Sequence, residues 1–294
     1  MTMLTIFTPT FNRASCWSRC YQSLQHQTCK DFIWLIIDDG STDGTKDLVS
    51  TWIQLERDFQ IRYIYKENGG LYTGYNTAIK NIDTPLAVCI DSDDWMPHDS
   101  VEIISDFWNK YGNDKVAGIA GLDCLADGTI LGDPFPNQPT INLIDLAIGN
   151  YHIKNGDRKL VVRTEIYKSV APMQEFCGEK NFNPHYMHLQ ISKKYNFLVL
   201  NKPLCIVEYQ PDGMTNSIFK QYLNSPNGFR QYRLLELSFK HAPLLYRVKK
   251  TIHYVSSCVL SGQPCIADSP QKALTALCYP VGFLFSLYVR LRGK

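Results

Sequence analysis

The apolar positions of this chain follow two periods that alternate along its first ninety-five residues. LTIFT (4–8) is a short β-rich run that stops at Pro9. In the next segment Trp17, Cys20, Tyr21 and Leu24 recur at helical spacing. DFIWLIIDD (31–39) is nearly continuous in apolar residues, as expected of a strand buried on both faces. GSTDGT then supplies a turn with helix-capping residues, and Leu48, Val49, Trp52 and Leu55 resume the helical period. IRYIY (61–65) reads as a third strand, GGLYTGYNTAIKN as a glycine-led loop and helix, and PLAVCID (85–91) as a fourth strand. Strand and helix alternate throughout, which predicts an α/β fold with a mostly parallel central sheet flanked by helices.

Beyond residue 95 the pattern is mixed. SVEIISDFWNKY is helical, VAGIAGLDCLADGTILG suggests two strands around an Asp-Gly turn, and GDRKLVVRTEIYKSV suggests a strand and then a helix. FLVLNKPLCIVEYQPDGMT reads as two short strands that close the domain. After Thr215 the chain is helical to its end. The expected division is an α/β domain over 1–215 and a helical C-terminal extension over 216–294.

In open parallel sheets ligands bind beyond the carboxyl ends of the strands. The unusual residues gather there: Pro9, Thr10 and Asn12 after the first strand, Asp38 and Asp39 after the second, Asn68, Gly69 and Gly70 after the third, and Asp91, Ser92, Asp93 and Asp94 after the fourth. Like charges so close together repel unless a cation stands between them or one carboxyl stays protonated. A hard divalent cation (magnesium, manganese or calcium) resolves the conflict. The bland alternatives are solvated acids capping the helix that follows, turn-capping by Asp38 or Asp39, and helix-capping by Thr10 or Asn12.

Composition narrows the classes. With 294 residues and 45% hydrophobic content the chain has ample core for one large domain with an appendage, or for two modest domains. A net charge of +2 gives no bulk attraction to nucleic acid. The ten cysteines are scattered and form no Cys-x-x-Cys pair, which argues for reduced core residues rather than a disulfide framework or a zinc site. The opening MTMLTIFTPTFNR does not read as a signal peptide, so a cytoplasmic protein is expected.

TIFTPTFNRA, IIDDGSTDGT, NGGLYTGYNTAI, CIDSDDW and VEYQPDGMT together resemble glycosyltransferase family 2, inverting enzymes of the GT-A fold that use nucleotide-sugar donors. The resemblance covers about 1–215 and implies a catalytic domain there, with a nucleotide-binding half (1–95) and an acceptor half (96–215). It is most specific in the first ninety-five residues, and is nearest to bacterial enzymes of capsule, lipopolysaccharide and exopolysaccharide synthesis. It implies that Pro9, Thr10, Asn12 and Asp39 hold the nucleoside, with Asn68, Gly69, Gly70 and Asn76 in the donor site. Asp91, Ser92 and Asp93 would serve ribose, metal and diphosphate, with Asp93 and then Asp91 as ligands of Mn2+ or Mg2+, and Asp94 and Trp95 the sugar pocket. The expected activity is hexosyl or N-acetylhexosaminyl transfer from a UDP-sugar to a glycan or lipid-linked acceptor.

The resemblance also implies an acidic base opening a helix in the acceptor half. In FCGEKNFNPHYMHLQ, Glu179 is present but His185 stands where a second acid is expected, so Glu179 is the first candidate and His185 the second. Asp212 fits a turn or a diphosphate contact better than the base. One rival reading is a catalytically impaired sugar-nucleotide-binding or scaffold protein on the same fold. A nucleotidyltransferase is disfavoured because TPTFNRA lacks a glycine-rich loop. Residues 246–294 carry seven Lys or Arg against one acid, Asp268. With the apolar ALTALCYPVGFLFSLYV, interrupted by Pro280, they suggest an interfacial helix on the inner face of the cytoplasmic membrane.

Overall fold

The computed structural model describes residues 2–208 and 217–293. Strands β1 (Leu4–Thr10), β2 (Phe32–Asp38), β3 (Gln60–Tyr65) and β4 (Leu86–Cys89) alternate with helices α1 (Ser18–Gln25), α2 (Thr45–Leu55) and α3 (Leu71–Asn81), and α4 (Ser100–Tyr111) follows β4. Next come β5 (Val116–Cys124), β6 (Thr140–Ile141), α5 (Leu143–Ile148), β7 (Arg158–Arg163), α6 (Thr164–Val170), α7 (His185–Ser192) and β8 (Asn196–Ile206). The chain continues with α8 (Ile218–Asn224), α9 (Pro226–Leu237), α10 (Leu244–Ser261) and α11 (Lys272–Arg292).

Two compact units are formed: Met1–Asn68, Thr73–Met173 and Met187–Tyr209 in one, and Gly69–Tyr72, Gln174–Tyr186 and Gln210–Lys294 in the other. The second unit is therefore not confined to residues beyond 215. Hydrogen bonds explain why. Asn181 N donates to Ser225 Oγ (3.0 Å) just before α9, and the Tyr72 hydroxyl lies between Phe176 N and Glu179 O, 3.2 Å from each.

The first unit is built on one sheet of order β3-β2-β1-β4-β7-β5-β8-β6. β1 pairs in parallel with β2 and β4, and β2 with β3, while β7 runs antiparallel between β4 and β5. β1 and β2 are buried along their whole length. On one face Trp17, Trp34, Trp52 and Tyr21 stack together, with the Tyr21 and Trp52 rings 4.5 Å apart, so the helical period seen in α1 and α2 is the period of this contact.

Three sequence expectations need correction. TILG contributes only a bridge, Ile130 to Cys124, because the Asp-Gly turn is followed by bends rather than a second strand. FLVLNKPLCI is one strand, not two. The register shifts between Ala120 and Leu122 opposite it, and this irregularity takes up Lys202 and Pro203 without ending the ladder. Between β5 and β7 the short β6 and α5 were not foreseen. α5 is capped by Asn142, whose side-chain oxygen accepts from Ile144 N.

In the second unit α9 packs on α10, and α10 on α11, around Leu237, Tyr254, Val255 and Cys258. Only Thr275, Cys278, Gly282, Ser286 and Val289 of α11 are buried. A Cβ on Gly282 would meet Val255 Cβ at 2.5 Å, so glycine is what permits the close approach of α11 to α10. The large apolar residues Leu277, Phe283, Leu284, Leu287 and Leu291 face outward. α11 runs on through Pro280, which lies on the exposed side of the helix.

Candidate active site

The parallel half of the sheet reverses its strand order between β1 and β4, which is where such sheets open a crevice. Pro9 helps to open it. The β1–β4 pairing ends at Phe7 and Cys89, with Ile90 N donating to Phe7 O (3.1 Å), and Pro9 has no N–H to extend it. On the other side β1 stays paired to β2, through Thr10 O accepting from Asp39 N at 2.8 Å. Thr10 is 4% exposed and its hydroxyl has no protein partner, a buried polar atom at the mouth of the crevice.

Asp39 is buried and held by Lys66, whose Nζ lies 2.6 Å from Asp39 Oδ1 and 2.9 Å from Thr73 Oγ1. Asn68 Nδ2 donates to Asp39 O at 2.7 Å, while Asn68 Oδ1 is buried without a protein partner. Gly40 makes this possible. Its φ is +86°, and a Cβ there would stand 2.8 Å from Asn68 N. Asn12, at φ +52°, staples the first loop to the second by accepting from Thr42 N (2.8 Å) and donating its N–H to Ser41 Oγ (2.9 Å). Asp38 is a turn residue, since its oxygens accept from Ser41 N (2.7 Å) and the Tyr63 hydroxyl (2.6 Å). Thr10, Asn12, Asp39 and Asn68 are thus brought together at one edge.

The acidic corner lies at the end of β4. Asp91 is exposed, Asp93 half-buried, and Ser92 and Asp94 buried. Asp94 N donates to Asp91 O (3.1 Å), which curls the turn. Asp94 Oδ1 accepts from Glu208 N (3.2 Å), and Trp95 bridges to Ile206, so the turn is clamped to the end of β8. Arg19 sits 4.7 Å above the Trp95 ring and pairs with Glu208. Burial pushes the Asp94 carboxyl up to about 7, with Lys159 pulling it down and Asp91 and Asp93 pushing it further up. Among the described residues no group of three or more His, Cys, Asp or Glu could hold a metal ion alone. Asp91 and Asp93 fit one as hard oxygen donors, with the remaining ligands drawn from a nucleotide's phosphates.

The other candidates have different surroundings. Asn76 is engaged with Met173, its Nδ2 donating to Met173 O (2.9 Å) and its Oδ1 accepting from Met173 N (2.8 Å). Gly70 has φ +94°, and the space a Cβ would need is filled by the backbone of Lys180, so the close approach it allows is to its own chain. Gly69 lies in the same turn. Glu179 is 7% exposed and caps α9: Oε1 accepts from Asn227 N (2.9 Å) and Nδ2 (2.7 Å), and Oε2 from Gly228 N (2.8 Å). His185 is half-buried and opens α7, with its backbone N donating to Asn183 Oδ1. Tyr209 to Thr215, including Asp212, lie outside the described residues. A groove lined by Thr84, Trp108, Arg163 and Lys168 lies at the opposite end of β4 from the acids.

Residues 5–128 match the family model for glycosyl transferase family 2. The chain carries a glycosyltransferase family 2 domain. Among curated relatives, it is 31% identical over 226 residues to the chondroitin synthase of Pasteurella multocida, which covers 69% of this chain and 23% of that one. It is 30% identical over 115 residues to the glycosyltransferase GlyA of Streptococcus pneumoniae, covering 39% of this chain and 16% of the relative. Those relatives are therefore much longer than the part this chain matches. Two solved structures share the GT-A fold. S. aureus TarS 1–349 in complex with UDP-GlcNAc has a TM-score of 0.60 at 13% identity, covering 99% of this chain and 92% of that one. The mannosyltransferase PcManGT of Pyrobaculum calidifontis, in complex with GDP-Man and Mn2+, has a TM-score of 0.57 at 16% identity, covering 99% and 82%.

The glycosyltransferase domain holds residues that the sequence reading passed over. Lys66 is one of them, and a lysine directly after a strand beside the Asp38-Asp39 strand end is a signal that could have found it. Lys159 and Asp123 were read only as strand residues, because their proximity depends on the β5–β7 register.

Proposed function

We propose that the protein is a metal-dependent, inverting glycosyltransferase that moves a hexosyl or N-acetylhexosaminyl group from a UDP-sugar to a glycan or lipid-linked acceptor of a bacterial surface polysaccharide. The observation that carries this reading is the convergence of Thr10, Asp39 with Lys66 and Asn68, and Asp91 with Asp93 at the β1–β4 reversal of the sheet. The UDP-GlcNAc of TarS and the GDP-Man and Mn2+ of PcManGT support the donor class and the cation.

Thr10 and Asp39 hold the nucleoside, and Lys66 fixes the Asp39 carboxylate in place. Asp93, with Asp91, binds Mn2+ or Mg2+. When bound, the cation stabilises the departing diphosphate. Inverting transfer also needs a base for the acceptor hydroxyl. Glu179 accepts from three N–H donors at the start of α9, which supports a structural task for it and favours His185 as the base.

The protein works at the cytoplasmic face of the membrane. From 273 to 289 the exposed surface of α11 has no charged residue, and the buried seam carries the small and polar ones. An interfacial helix needs an exposed polar face, which α11 lacks, so lipid surrounds its outer sides while Lys272, Arg290 and Arg292 mark its ends. It is also the one described helix long and apolar enough to cross a membrane. A screen of UDP-sugars, following UDP release with and without manganese, tests the activity. Manganese-dependent release that disappears in Asp93→Ala is expected. UDP binding without turnover on any acceptor would instead favour a binding or scaffold protein.

A further inference from the structure

β5 runs parallel to β4, and β7 lies antiparallel between them. The end of β5 and the start of β7 therefore share the edge of the sheet that carries the acidic corner. Lys159 pairs with Gly121 in the β5–β7 ladder, which puts it on the same face as Asp123, two residues on. The register of β4 and β7, continued past Val88–Val161, sets Lys159 beside Ile90, next to Asp91. Cys205 completes the arrangement, pairing with Asp123 across β5–β8 while its thiol lies 3.8 Å from Asp94 Oδ2.

One ammonium group thus stands among three carboxylates. Lys159 Nζ is 3.9 Å from Asp123 Oδ2, a loose pair with side chains 11% and 4% exposed. Burial alone would pull the Lys159 ammonium down, but Asp123, Cys205, Asp94 and Asp91 hold it well above its usual value, so it stays charged. Asp123 Oδ1 is buried and has no protein hydrogen-bond partner. Asp38, by contrast, has both oxygens satisfied by its own chain. A buried carboxylate oxygen left unpaired is costly unless a ligand completes it.

We propose that Lys159 and Asp123 form the subsite that recognises the hydroxyls of the transferred sugar, with Lys159 donating to one hydroxyl and Asp123 Oδ1 accepting from its neighbour. This rests on the glycosyltransferase reading. The sugar lies one step beyond the diphosphate, and this pair lies one and two strands beyond the acids assigned to the diphosphate, at the same edge. A donor and an acceptor fixed side by side select for the orientation of adjacent hydroxyls.

The test is calorimetry with manganese, comparing UDP with a panel of UDP-hexoses on wild type, Asp123→Asn and the double variant Asp123→Asn/Lys159→Met. The isosteric change and the removal of both charges guard against loss of folding, and thermal melting reports it. UDP should bind all three proteins within about threefold. The extra affinity of the preferred UDP-hexose over UDP should fall by about 10- to 100-fold, and the preference between epimers should collapse. Folded variants that keep both the wild-type increment and the wild-type preference would overturn the proposal. A wild type that binds no UDP at all would overturn the glycosyltransferase reading as well, which separates the two failures.

Discussion

On the proposed reading Glu179 caps a helix and His185 is the base. Glu179→Ala removes three hydrogen bonds to a buried carboxylate, two of them from backbone N–H groups in the first turn of α9. The expected cost is about 2 kcal/mol, read as a lowered melting temperature, with transfer retained by the folded protein. His185→Ala should melt like wild type, keep UDP binding and lose transfer by roughly 100-fold or more. Normal transfer by His185→Ala would return the base to the acids of this region. At this scale the sequence was informative where a residue's meaning depends on its own strand end. Asp39, Asp91 and Asp93 are recognisable because a buried strand gives way to charge. It was silent on Lys159 and Asp123, whose meaning depends on which strands become neighbours.

Among the elements, α10 carries a half-buried imidazole. His253 lies between the Tyr222 and Phe285 rings, 6.1 and 4.8 Å away, and burial pulls it down to about 4, reinforced by Arg233, Lys250 and Lys249 against a weaker opposing pull from Glu236. In the unfolded chain it titrates near 6.5. The unfolded state therefore binds more protons between these values, and the stability His253 confers is fully present above about 6.5 and lost as pH falls towards 4. The loss is roughly 3 kcal/mol, and His253→Phe should flatten that part of the stability profile measured by urea unfolding. The elements themselves were legible where one period runs long enough, as in β2, α2 and α11. β6 and α5 were hidden because two and six residues carry too little period, and the unity of β8 because a proline inside a strand reads as a break until the bulge in β8 is seen.

The whole molecule carries a proposed donor site at a sheet edge of one unit and, in the other unit, a helix whose large apolar residues are exposed. Leu284→Glu with Leu287→Glu puts charge on the exposed side of α11. The variant should no longer co-sediment with anionic vesicles, yet should still release UDP from the preferred donor. Unchanged sedimentation would remove lipid from the account. The most direct test of the central claim is a crystal soaked with UDP and manganese, read by the anomalous signal of the metal. The account predicts a manganese peak against Asp93, with the nucleotide lying between the ends of β1 and β4 and its base or ribose on Thr10 and Asp39. No peak at that corner, with nucleotide bound elsewhere or not at all, would contradict it.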